Sequence, residues 1–184
     1  MSVRSLAGMV SVLFVALGAC TSGSDAGGTP LDVKGLHVVL PNGWTSVPPA
    51  SSMRAAQAVI EGPGGPAELT VFHFGAGQGG DVEANIQRWL GQIVPQAGTK
   101  PQREVFESGG GLRITWVDAE GTLQPGQMGM GPKEAQPGAR LLGAVVEGDG
   151  GPWFFKATGS DLTLAPQRLA FRGMLQRARL ASAG

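Results

Sequence analysis

The chain has 184 residues, 14 basic against 14 acidic, and a single cysteine. That length fits one domain with short tails; one cysteine excludes an intrachain disulfide framework and any multi-cysteine zinc site, and zero net charge excludes the basic footprint of a general nucleic-acid binder. With 31 glycines and 13 prolines but 42% hydrophobic residues and no collagen-like period, the composition excludes collagen and wholesale disorder.

Met1 to Arg4 is a short start with one positive charge, and Leu6–Leu17 (LAGMVSVLFVAL) is apolar. The run is too short to span a bilayer, which needs about 20 residues. A charged start, a short apolar core and a small-residue site read as a secretory signal. Leu17-Gly18-Ala19-Cys20 then resembles the bacterial lipobox. That resemblance implies a lipoprotein signal peptide over residues 1–19, cleavage before Cys20, a diacylglycerol on its sulfur and an acylated new amine. The sole thiol stands where the lipid would go, so an oxidising compartment poses no hazard to the rest of the chain. Two or three acyl chains, at about 0.8 kcal/mol per buried CH2, anchor durably. A plain signal peptide, or an uncleaved anchor helix with Cys20 there by chance, is the competing account. Thr21 and Ser22 stand where the lipoprotein family carries Asp for inner-membrane retention, which points to the outer membrane. Residues 20–35, rich in Gly, Ser and Thr up to Lys34, read as a flexible lipid-anchored tether reaching roughly 20 Å.

Leu36–Leu40 (LHVVL) predicts a strand, and Pro41-Asn42-Gly43-Trp44 a turn with a large aromatic after it. Met53–Ile60 fits either a helix or a strand. Gly62–Pro66 (GPGGP) is a break, and Ala67–Phe74 alternates with β-rich residues. If Met53–Ile60 is a strand, the break closes an antiparallel hairpin. After the Gly75–Gly80 loop, Val82, Ile86, Trp89, Leu90 and Ile93 fall at i, i+4, i+7, i+8 and i+11, predicting a helix over Asp81–Val94. Arg103–Glu107, Gly111–Asp118, Arg140–Glu147 and Trp153–Thr158 predict strands, with hairpin-type turns at Ser108–Gly111 and Gly148–Gly151. Gln124–Ala139 has no periodicity and predicts a mobile loop, with Met128 and Met130 suited to a lid or a partner contact. Pro166–Leu180 predicts a closing helix burying Phe171, Met174, Leu175 and Ala178.

Strands, helix, a run of strands and a helix make a single α+β domain over residues 36–181, a mainly antiparallel sheet flanked by helices. The Pro41-Asn42-Gly43-Trp44 turn after the first strand, the mid-chain amphipathic helix, the meander ending in an aromatic strand and the C-terminal helix resemble the PsbP-like α/β/α sandwich superfamily. That group includes the extrinsic photosystem II protein, a Ran-binding nuclear import factor and many exported bacterial lipoproteins. Its members share a fold without a common chemistry, so the resemblance implies architecture and no activity.

Gly75-Ala76-Gly77-Gln78-Gly79-Gly80 matches G-x-G-x-x-G between a strand and a helix, with Glu104 at a loose acidic spacing. The elements before it read as a hairpin, the helix starts after the third glycine, and the motif falls mid-chain. A strand-to-helix loop accounts for it better than a dinucleotide site. His37 and His73 are not at metal-ligand spacing, HExxH is absent, and the expectation is no metal and no cofactor. Ser160, His73 and Asp161 make a hydrolase triad only on paper, without a G-x-S-x-G elbow. Asn85, Arg88 and Gln92 lie within about 60° of one another on the predicted helix. With Trp89 they form a candidate recognition strip, or the flank of an ordinary amphipathic helix that caps neighbouring loop carbonyls. Arg168, Arg172, Arg177 and Arg179 put four cations on the last helix, with Arg168, Arg172 and Arg179 in one stripe. The stripe suits anionic lipid or an acidic partner, or is a solvated face. Trp44, Trp89, Trp116 and Trp153 are expected core anchors.

Three functions stay open at this point. The first is a non-enzymatic binding or scaffold module, tethered on the periplasmic side of a bacterial envelope and meeting another envelope protein. The second is a small-molecule or lipid binder with an apolar cavity under Trp89 and Leu90. The third is an enzyme in which Arg88, His73 and Glu104 converge in one cleft.

Overall fold

The structure, a computed structural model, describes residues 28–126 and 132–181. The predicted signal peptide, Cys20, Thr21 and Ser22, and Met128 and Met130 lie outside the described residues.

The fold opens on a hairpin of β1 (Thr29–Val33) and β2 (Leu36–Leu40). Its two turn residues, Lys34 and Gly35, both have positive φ, 52° and 85°. This is the primed turn whose twist matches paired strands. The Asp32 carboxylate accepts from the Gly35 amide at 3.1 Å. Residues 29–33 of the predicted tether are therefore strand. Leu31 and Val33 alternate with polar neighbours, and both pack on the core, so this stretch has an apolar edge to bury.

β3 (Trp44–Val47), β4 (Arg54–Ile60) and β5 (Ala67–His73) continue as a meander. The ambiguous Met53–Ile60 segment resolves as a strand because Ala56, Ala58 and Ile60, at every second position, are buried on one side. The GPGGP break closes its hairpin, the Gly65 amide donating to Gly62 O at 3.0 Å.

The helix α1 (Val82–Leu90) starts where predicted, with the Asp81 side chain accepting from the Ala84 amide at 3.1 Å. It stops four residues earlier than its apolar spacing predicts. Gly91 caps it, and the chain turns into β6 (Ile93–Pro95), which pairs with β8 (Arg113–Leu123). Ile93 still joins Ile86 and Trp89 in one buried cluster. The spacing registered a common burial direction, which a strand following the helix satisfies as well as another turn would.

β7 (Gln102–Glu107), β8, β9 (Gln136–Glu147) and β10 (Trp153–Ser160) match the predicted strands and extend them. Residues 136–139 of the predicted loop belong to β9, with Ala139 opposite Gly121 and Gln136 opposite Leu123. The predicted closing helix is instead α2 (Asp161–Leu164), a 3-10 turn (Ala165–Gln167), α3 (Arg168–Gln176) and a short strand β11 (Arg179–Leu180). Phe171, Met174, Leu175 and Ala178 are all fully buried, as the period predicts. The chain leaves the helix because Arg179 and Leu180 find ladder partners opposite His37 and Leu36 on β2, covering that edge.

The large sheet runs β3-β4-β5-β10-β9-β8-β6, with β7 also on β8, and a small sheet runs β1-β2-β11. Every pairing is antiparallel. α1 covers one face, over Val117, Leu141, Val145 and Phe154. The small sheet, α2 and α3 cover the other, through Leu36, Leu164, Phe171 and Met174. All four tryptophans are buried. This is the expected α+β architecture, an antiparallel sheet flanked by helices.

Candidate functional site

The predicted strip on α1 divides into separate tasks. Asn85 is buried, and its Nδ2 donates to Gly79 O at 2.8 Å and Asp81 O at 2.9 Å, fastening the glycine loop to the helix. Trp89 is core, edge-on to Phe154 at 6.4 Å between ring centroids. Arg88 stays exposed, its Nη2 donating to Asn85 Oδ1 at 2.5 Å. Gln92 lies past the helix end, and its Oε1 accepts from Lys156 Nζ at 2.7 Å.

Lys156 is the residue that sequence reasoning missed. In β10, Phe155 and Ala157 face the α3 layer, so alternation turns Phe154 and Lys156 toward α1. Register then aligns a polar row across three strands, Gln57 opposite Thr70 and Thr70 opposite Lys156. At the margin of this row, Arg54 pairs with Glu68 at 3.0 Å, and Gln57 Nε2 donates to Glu68 Oε2 at 2.8 Å. Burial above all, with the charges of Arg88 and Arg54 adding and Glu68 opposing, holds the Lys156 ammonium down at a pKa of about 8. The available signal was one lysine inside the run WFFKAT, where alternation alone points it inward.

A second polar cluster sits on the opposite face. Asp118 and Arg140 are only 2% and 7% exposed. Arg140 binds Asp118 and its cross-strand neighbour Glu120, and its Nε donates to Asp161 Oδ1 at 2.6 Å. Arg168 reaches the other Asp118 oxygen from α3, and its Nη2 donates to Gln102 Oε1 at 2.7 Å. Burial works against the Arg140 charge, but Asp161 and Asp118 outweigh it and hold the guanidinium above its ordinary pKa. A cleft of about 270 Å³, lined also by Thr99 and Lys100, opens over these groups. Two guanidiniums meet three carboxylates here, and the junction ties β7, β8, β9, α2 and α3 together.

The remaining candidates are dispersed. Arg172 Nε donates to Glu104 Oε2 at 3.1 Å, and its guanidinium lies 4.6 Å from the Phe106 ring centre. That hydrogen bond holds the Glu104 carboxyl below its ordinary pKa. Arg179 is exposed on β11, off the helix, so Arg168, Arg172 and Arg179 form no single helical stripe. His37 lies 3.2 Å from Asp32, and His73 stacks on Trp153 at 4.7 Å. Arg88, His73 and Glu104 do not converge, since Arg88 stands on α1 and Glu104 is engaged by α3 on the other face. Ser160 accepts from the Leu162 amide at 3.3 Å while Asp161 holds Arg140, so they do not form a triad with His73.

The glycine loop is accounted for by backbone and packing. Gly75, Gly77, Gly79 and Gly80 all have φ between 70° and 89°. A Cβ on Gly79 would stand 2.6 Å from Phe154 Cε2. β5, which precedes the loop, is antiparallel to both neighbours, so no parallel crossover unit frames it.

Among the described residues no helix is long and apolar enough to cross a membrane. No family model matches the chain, and no curated protein matches its sequence. Among solved structures, the chain is similar to cyanobacterial PsbP (CyanoP) from Synechocystis sp. PCC 6803, with 13% identity, 89% of this chain and 98% of that one covered, and a TM-score of 0.50. A protein of unknown function, PA94 from Pseudomonas aeruginosa, aligns at 14% identity over 82% of this chain and 94% of its own, with a TM-score of 0.43. The chain has the PsbP-like α+β fold, the architecture that its order of elements implied.

Proposed function

We propose that this chain is a lipid-anchored, extracytoplasmic lipoprotein that serves as a non-enzymatic binding or scaffold module of the bacterial cell envelope, facing the periplasm. The carrying observation is the sole cysteine directly after Leu17-Gly18-Ala19, at the end of a signal-like apolar run. The position of the first strand supports the arrangement. Only Thr21 to Gly28 separate Cys20 from β1. A flexible Gly/Ser-type segment of that length has a mean reach of roughly 15 Å, so the folded domain would ride close to the bilayer. A binding role is favoured over catalysis because Arg88, His73 and Glu104 are each engaged separately, as are Ser160 and Asp161. The partner in this proposal is another envelope protein, and the anchor lies in the outer membrane.

Labelling cells with a radioactive fatty acid tests the anchor. Wild-type chain should carry label and Cys20→Ala should not; equal labelling of both overturns the proposal. A photo-crosslinking residue at Leu169, which is 82% exposed on α3, tests for a partner. Absence of any discrete adduct in intact envelopes, there and at Leu162, which is 65% exposed on α2, counts against a scaffold on the α2–α3 side.

A further inference from the structure

Two cations at the end of α1, half-buried Lys156 and exposed Arg88, are paired unlike the buried and half-buried arginines elsewhere in the fold. Arg54, Arg140, Arg168 and Arg172 each meet a carboxylate. Among the described residues, Lys156 and Arg88 hydrogen-bond to neutral amide oxygens instead, Gln92 Oε1 and Asn85 Oδ1. Arg88 stands in the last turn of α1, four residues before the Gln92 that holds Lys156, so both cations lie at the same helix end and oppose each other's charge. Glu68, the carboxylate that acts on Lys156 among the described residues, is already shared between Arg54 and Gln57.

We propose that Lys156, Arg88 and Gln92 form a binding site for a small oxyanion, a carboxylate or a phosphate group, between the end of α1 and the face of β10. The donors suit such a group. Arg88 supplies a planar fork that matches two oxygens of a carboxylate or phosphate. Lys156 Nζ keeps two N–H donors beyond the one given to Gln92, and the Gln92 side-chain Nε2 is a neutral donor beside them. An anion between the two cations replaces their repulsion with two attractions, in a place where burial weakens solvent screening. Exposure of Arg88 leaves the site open on one side. The charged groups facing Lys156 are Arg88 from α1, Glu68 from β5 and Arg54 from β4. Of these only Glu68 is negative, and the aligned row beside Lys156 adds neutral Thr70 and Gln57. The site uses side chains of the folded domain alone, so it stands whether or not Cys20 is acylated.

The test is an NMR titration of the Lys156 side chain in the full-length protein in detergent, with the signal assigned by its loss in Lys156→Gln. Inorganic phosphate and acetate are the probes, and vesicles of phosphatidylglycerol in phosphatidylcholine form a third arm. Because only the charged amine binds an anion well, saturating probe should raise its midpoint by about one unit, a tenfold linkage. Arg88→Gln supplies a control on an exposed side chain. Without probe its Lys156 midpoint should rise, because a repulsion is gone, and its response to probe should fall several-fold. A response to free phosphate or acetate assigns a soluble ligand. A response confined to vesicles, and lost in Lys156→Gln, assigns a lipid headgroup to the same site. An unmoved midpoint in all three arms overturns the proposal, as does an equal response in wild type and Arg88→Gln.

Discussion

Trp89 occupies the space that a side chain at Gly143 would need. A Cβ there would stand 2.8 Å from Trp89 Cε3 and 2.9 Å from Val117 Cγ2. The indole thus settles onto bare backbone of β9, and this contact sets how closely α1 approaches the sheet. Gly143→Ala should lower stability by about 1–3 kcal/mol through overpacking. In a domain of this size each kcal/mol moves Tm by about 2–4 °C. Thermal unfolding followed by tryptophan fluorescence measures it, and an unchanged Tm would show that the helix does not rest there.

Arg140 is the keystone of the ionic junction, and its loss leaves the buried Asp118 carboxylate with Arg168 as its remaining cation and frees Glu120 and Asp161 of theirs. Arg140→Met should cost about 3 kcal/mol in urea denaturation, because Arg168 alone then faces a buried carboxylate that had two cations. Adding Asp118→Asn should restore part of that loss. A single variant as stable as wild type would contradict the closed junction.

The Arg172–Glu104 pair is half exposed and contributes less. Glu104 is held below its ordinary pKa by the hydrogen bond from Arg172. Its contribution is therefore present above the unfolded-state pKa and fades as pH falls through the lower folded-state value. Glu104→Gln should cost less than about 1 kcal/mol at neutral pH, after solvent screening is allowed for. The difference between variant and wild type should vanish in acid. A gap that persists there would assign the loss to packing on Phe106 instead.

Lys156 has the opposite sign. Its folded-state pKa, about 8, lies below the ordinary 10.5. Between those values the unfolded chain holds more protons than the folded one, so stability should rise with pH across that window. The full effect is up to about 3 kcal/mol, felt as a cost below pH 8 and relieved toward pH 10. Lys156→Met should be flat through the window and more stable than wild type at pH 7. Denaturant titrations at pH 7, 9 and 10 decide the matter, and identical slopes for both chains would contradict the burial of this amine.

Local pattern and local chemistry were legible in the linear chain. Turn residues marked the hairpins at Gly62–Pro66 and Ser108–Gly111, and Asp81 marked the start of α1, because these depend on a few adjacent dihedrals and one capping contact. The buried face of α3 was legible too, since Phe171, Met174 and Leu175 carry the helical period themselves. Where α1 and α3 end was not. Ile93 is buried, and Leu180 partly buried, through strand partners far away in sequence, and an apolar period reports burial without saying which backbone achieves it. The candidate site was half visible. Arg88 and Gln92 share a helical neighbourhood that spacing reveals, but Lys156 joins them from another strand, 64 residues beyond Gln92. The same holds for Arg140, whose partners Asp118, Glu120 and Asp161 lie about 20 positions away on either side. Only strand register and layer packing bring such groups within hydrogen-bond reach, and register is a property of the assembled sheet.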